Sequence, residues 1–156
     1  MLLRTHIAIS LFGILVFFSL FQEKAIFVLA VIVATLFPDI DCETSKLGRK
    51  GIFRPFQFFI KHRGFFHSFT FLILLVILGF IFLENFRKEI IFGFLIGYGL
   101  HLIADSFTKK GVRFFYPLTK KKFRFLGGIR SGGKKEIVVF SFFIAIDIIL
   151  IVLRFL

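Results

Sequence analysis

Cysteine is almost absent from this chain. Its single copy, Cys42, allows no intramolecular disulfide and no thiolate cluster for zinc. A metal site, if there is one, must be built on imidazole and carboxylate. Acidic residues are scarce too: nine Asp and Glu stand against 21 Lys and Arg. No internal repeat and no low-complexity tail occur, which sets aside solenoids and disordered tails. The apolar run after Arg4 has the look of a signal peptide, but no small-x-small cleavage site follows it. A second apolar run begins within three residues, so the first reads as a retained helix.

Apolar surface is present in excess. Hydrophobic residues make up 58% of the 156 positions, 28 of them Phe, and mean hydropathy is +0.93. A soluble domain of this length cannot bury so much apolar surface, because small domains leave much of their surface in water. The expectation is one membrane-embedded, all-α domain over 1–156. Five apolar runs can be read, at 7–21, 25–37, 65–83, 90–107 and 137–155. The last three approach the roughly 20 residues that span a bilayer core, and the first two look short. The expected fold is a bundle of about five transmembrane helices with two long basic loops, 38–64 and 109–136. With five spans, 17 of the 21 Lys and Arg residues fall on the side of the N-terminus and long loops. That bias places the loops in the cytoplasm and the chain as a multi-pass protein of the inner or plasma membrane. In a soluble protein this basicity would suggest nucleic acid. Here it suggests orientation first, then anionic lipid or phosphate, and requires no nucleic acid.

The ionisable residues fall in a pattern. His6 opens the first run, Asp39 and Asp41 close the second, His62 and His67 open the third, and His101 and Asp105 close the fourth. All lie at the same expected end of the bundle. His101 and Asp105, four apart, share a helix face that Gly93 and Gly97 continue backward. Small residues there let a neighbouring helix approach closely, so this face points inward. Gly64 suggests that His62 sits in the loop and His67 on the helix. Asp39 and Asp41 share a face only if the chain is extended there. Each group has a bland reading: a His-x-x-x-Asp pair can be a buried hydrogen bond, an Asp-x-Asp a turn, His6 an interfacial residue. Convergence at one end favours metal, because a hydrolytic site needs three or more protein ligands per ion. Imidazole and carboxylate suit zinc, manganese or iron, and two ions suit phosphoester hydrolysis. Asp147, mid-run in the last helix, is too deep to be a ligand; protonation, pairing with Ser141 or facing the site are all open.

Thr5-His6, Pro38-Asp39-Ile40-Asp41, His62-Arg63-Gly64 with His67-Ser68, and His101-Leu102-Ile103-Ala104-Asp105-Ser106-Phe107-Thr108 with Gly111 together resemble a known family. It is the YdjM-like, LexA-regulated, inner-membrane-associated metal-dependent hydrolases. Ile129-Arg130-Ser131-Gly132, leading to Glu136, is similar to that family's last loop. The resemblance spans nearly the whole chain. It implies distant kinship with zinc-dependent phospholipases C and an all-helical site with two or three zinc ions. His6, Asp39, His62 or His67, His101 and Asp105 become the implied ligands, with Asp41 a ligand or the partner of one. No second His-x-x-x-Glu or His-x-x-x-Asp pair follows His101, which argues against a three-metal site. The expected catalytic set is Asp39, Asp41, His62, His101 and Asp105. Arg63, Lys110 and Arg130 are expected to hold an anionic, phosphate-containing substrate drawn from membrane lipid. Ser68 and Thr108 are expected to donate hydrogen bonds to the ligands. Two other classes compete. A metal transporter or sensor would use the same ligands without chemistry, but a transport path places its polar groups near mid-membrane, and these gather at one face. A non-catalytic membrane adaptor would bind through Lys120-Lys121-Lys122.

Overall fold

The computed structural model describes residues 1–41, 65–82, 88–125 and 128–156, with the backbone alone at 40, 41, 82 and 155. Five helices occur among them: α1 (Leu3–Phe17), α2 (Lys24–Leu36), α3 (Phe69–Phe82), α4 (Lys88–Ser106) and α5 (Lys134–Phe155). No strand occurs among the described residues. Among the described residues, three stretches are long and apolar enough to cross a membrane: Leu3–Leu20, Lys88–Ser106 and Lys134–Arg154. The 13 residues of α2 and 14 of α3 reach only roughly 20 Å each, short of the ~30 Å hydrocarbon core.

Two lengths depart from the sequence expectation, each for a local reason. The first run is long because α1 starts at Leu3 rather than Ile7. Its N-terminal donors are capped from far along the chain: Glu136 of α5 accepts from the Leu2 N–H at 2.5 Å and the Thr5 hydroxyl at 2.9 Å. A helix end needs such partners, and Leu2 has no side chain to supply them. The third run is short because Ser68 interrupts it. Its hydroxyl accepts from the Phe71 N–H (3.2 Å) and donates to the Phe65 carbonyl (2.6 Å), capping α3. His67 therefore lies on a 3₁₀ turn, Phe65–His67, and not on the helix as expected.

The centre of the bundle is α4, which packs on α1, α2 and α3, whereas α5 lies chiefly against α1. The span of α4 is 56% buried and that of α5 only 11%. The sequence explains the difference. At Gly97 an added Cβ would overlap the Val31 carbonyl and press on the Thr35 hydroxyl, so glycine lets α2 lie directly on α4. In contrast α5 turns Val138, Phe142, Ile148 and Leu153 outward. Such a face is tolerable in lipid and not in water.

Two apolar clusters fill the bundle. Phe71, Leu72, Tyr98 and Leu102 form one with Val112 and Phe114 of the following loop; Ile14, Phe21, Phe27 and Val31 form the other. The loop between α4 and α5 is folded onto the bundle end. Val112 and Phe123 exchange backbone hydrogen bonds (3.1 and 2.8 Å), Phe125 N–H donates to Ser106, and Phe69 N–H donates to the Phe114 carbonyl at 2.8 Å. Gly111 turns the chain at φ +64°, a conformation glycine adopts without strain.

Candidate metal centre

Alternating helix directions bring the polar ends together. His6 comes from the first turns of α1, Asp39 from the 3₁₀ turn Phe37–Asp41 after α2, His67 from the turn before α3, and His101 and Asp105 from the last turns of α4. The chain at Asp39 is helical and not extended, so the condition for Asp39 and Asp41 to share a face is not met.

The five side chains form one cluster. Asp105 presents Oδ1 to His6 Nε2 at 3.3 Å and Oδ2 to His67 Nε2 at 3.8 Å. His101 Nε2 lies 3.3 Å from His67 Nε2 and 4.0 Å from Asp39 Oδ1. The rings of His6 and His101 stack, centroids 4.0 Å apart and planes 10° from parallel. The α-amino group of Met1 is ion-paired with Asp105. His6, His67, His101 and Asp105 are each 1–2% exposed, while the Asp39 side chain retains 19%. Burial pushes the Asp39 carboxyl above its ordinary range, and His6 and His67 nearby pull it the other way.

Two groups within the cluster can each hold a metal ion: His6, Asp39 and His101, and His67, His101 and Asp105, with one ligand atom of each within 4.8 Å of the others. Ligands at 2.0–2.1 Å around a tetrahedral ion stand roughly 3.3–3.5 Å apart, and within the second group the 3.3 Å contact between His67 Nε2 and His101 Nε2 matches that spacing. Neither ring nitrogen of His6 has an aligned hydrogen-bond partner among the described residues. His6 Nε2 lies 3.3 Å from Asp105 without the alignment of a hydrogen bond, and a bound cation between the two would satisfy it. The donor set therefore fits a divalent ion.

His62 and Arg63 lie outside the described residues, as does the Asp41 side chain. Lys110 and Arg130 are exposed on the loop that follows α4. Ser68 and Thr108 do not donate to ligand side chains as expected. Ser68 caps α3, and the Thr108 hydroxyl donates to the backbone carbonyl of Asp105 at 2.7 Å, closing α4. Both hold backbone that carries a member of the cluster.

Two features were missed as parts of the site. Glu136 is fully buried, and besides its bonds to Leu2 and Thr5 it accepts from the Gly132 N–H at 2.5 Å. It thus ties the helix start bearing His6 to the turn bearing Arg130. The signal was a Glu among exposed lysines at a helix start, easily read as a solvated residue favoured by the helix dipole. The second feature is a buried hydroxyl pair, Ser10 and Thr35, 2.7 Å apart. Ser10 is one helical turn inward from His6, and Thr35 four residues before Asp39. The spacing was legible, the pairing between helices was not.

Over 89 residues the chain is 33% identical to the uncharacterized protein YvsG of Bacillus subtilis (strain 168), covering 56% of this chain and 54% of that protein. The chain thus spans about half the length of the curated relative it matches. No solved structure matches it. The YdjM inner membrane protein family matches residues 1–154, nearly the whole sequence, and the chain belongs to that family.

Proposed function

We propose that the chain is a membrane-embedded, metal-dependent hydrolase of a phosphoester, a lipid or lipid-linked phosphate, with its site at the cytoplasmic face. The observation that carries this reading is the convergence of His6, Asp39, His67, His101 and Asp105, from four chain segments, into one buried cluster. Ionisable groups in a membrane bundle are costly, and beside the Met1 α-amino group on Asp105 a bound cation would further offset the two carboxylates. Family membership and the three candidate spans support the membrane setting.

His101 belongs to both ligand groups, so two ions would compete for its Nε2 unless Asp105 served both. Asp105 is suited to that task, since its two oxygens face His6 and His67 separately. Asp41 and His62 remain in the proposed ligand set by their sequence positions. A divalent ion held there, zinc or else manganese or iron, supplies Lewis acidity and a hydroxide nucleophile near neutral pH. Asp39 is the cluster member that reaches solvent, so water and the phosphate group would approach on its side. Lys110 and Arg130 would offer positive charge to the phosphate, and Arg130 can do so through two parallel hydrogen bonds. His67 and His101, each 1% exposed, would hold the ion on the buried side of the site.

The test is turnover by the full chain in lipid nanodiscs. Phosphatidylglycerol, phosphatidic acid and polyprenyl diphosphate would be offered, with release of phosphate or head group measured. The reading expects metal-dependent turnover of at least one, abolished by chelation, restored by zinc or manganese, and lost in His101→Ala. Turnover that survives chelation and His101→Ala would overturn it, as would none with any substrate in metal-replete protein.

A further inference from the structure

The loop between α4 and α5 is unusual in two ways at once. Residues 107–135 contain ten Lys or Arg and no Asp or Glu. The same loop exposes large apolar side chains: Leu118 is 82% exposed and Phe115 46%. Apart from the terminal Leu156, no described large hydrophobic residue is more exposed than Leu118. The exposed faces of the long helices are explained by lipid tails. Leu118 lies on no helix, so that explanation does not reach it.

The loop holds a defined shape. Its base is pinned by the paired Val112 and Phe123 and by the bond from Phe69 to Phe114, with Val112 and Phe114 buried in the core. The tip between them carries Phe115 and Leu118, followed directly by Lys120, Lys121 and Lys122, all exposed. The loop leaves α4 just past Asp105 and is fastened beside His67. Both ends of the loop join candidate spans, which keeps the tip close to the bilayer surface. Apolar side chains flanked by a lysine cluster are what an anionic membrane surface binds. The apolar groups enter the head-group layer and the ammonium groups meet lipid phosphates.

We infer that the 113–124 tip docks onto the anionic lipid leaflet, with Leu118 and Phe115 set among the head groups and Lys120–Lys122 on their phosphates. Its consequence for substrate rests on the proposed function: the tip gathers anionic phospholipid at the bundle end that carries the His–Asp cluster. The docking itself does not depend on metal.

The chain contains no tryptophan, so Leu118→Trp gives a single emitter in the full-length protein. Emission would be read in nanodiscs of phosphatidylcholine alone and of phosphatidylcholine with phosphatidylglycerol, each with chain-brominated lipid as quencher. The expected result is blue-shifted, quenched emission in the anionic discs. It should fall to the phosphatidylcholine level in 1 M salt or when Lys120, Lys121 and Lys122 are changed to Gln. Phe115→Trp is the second reporter and should behave alike. Water-like, unquenched emission in both lipids would overturn the inference. Equal quenching in both lipids, insensitive to the lysines, would overturn its anionic selectivity. Metal content measured on the same samples separates this outcome from the failure of the hydrolase reading.

Discussion

At the scale of single residues, two buried carboxylates of α5 stand in contrast. Glu136 is satisfied by three donors from three segments. Asp147 is 2% exposed, and neither of its oxygens has a hydrogen-bond partner among the described residues. Ser141, one of its possible partners by sequence, is exposed and does not bond it. Burying a polar group without a bond costs about 1–3 kcal/mol by mutational measures. Asp147→Leu should therefore raise stability by about that amount, read as a higher thermal midpoint in detergent. A lower midpoint would show that the carboxyl has a supporting partner. The His–Asp cluster was legible because each member sits at the end of an apolar run, where an ionisable residue stands out. The role of Glu136 was not, because its partners Leu2 and Thr5 lie more than 130 positions away.

At the scale of elements, the stripe of α4 carries most of what the sequence announced. The i, i+4 register of Gly93, Gly97, His101 and Asp105 correctly pointed inward, against α2 and then the cluster. Gly97→Ala tests that packing. Overpacking costs about 1–3 kcal/mol, and the alanine regains at most about 1 kcal/mol of helix propensity. The blocking atom is a backbone carbonyl that cannot rotate away, so the net expectation is destabilisation, measured as a lower thermal midpoint. An unchanged or higher midpoint would mean that α2 and α4 do not approach as closely as described. Helix lengths were read less well than helix faces. Hydropathy runs register where apolar residues begin, while helix ends are decided by caps. One cap, Ser68, was visible but was read as a ligand's partner; the other, Glu136, was long-range.

At the scale of the whole molecule, alternating helices with long and short connections account for the gathering of polar ends. Each described member of the cluster lies at a helix end or in an adjoining turn, so helix packing sets its spacing. The central claim is that this end of the bundle binds metal, and elemental mass spectrometry of the purified full chain tests it most directly. His101→Ala and Asp105→Ala would be run beside it, and the protein dialysed at a series of pH values. The account predicts about one to two equivalents of zinc, manganese or iron in the unaltered chain. Both variants should lose it, and retention should weaken as pH falls, because histidine and Asp39 must shed protons to bind. No retained metal after reconstitution with each ion, or equal retention in both variants, would contradict the account and leave the cluster as hydrogen bonds that orient helices.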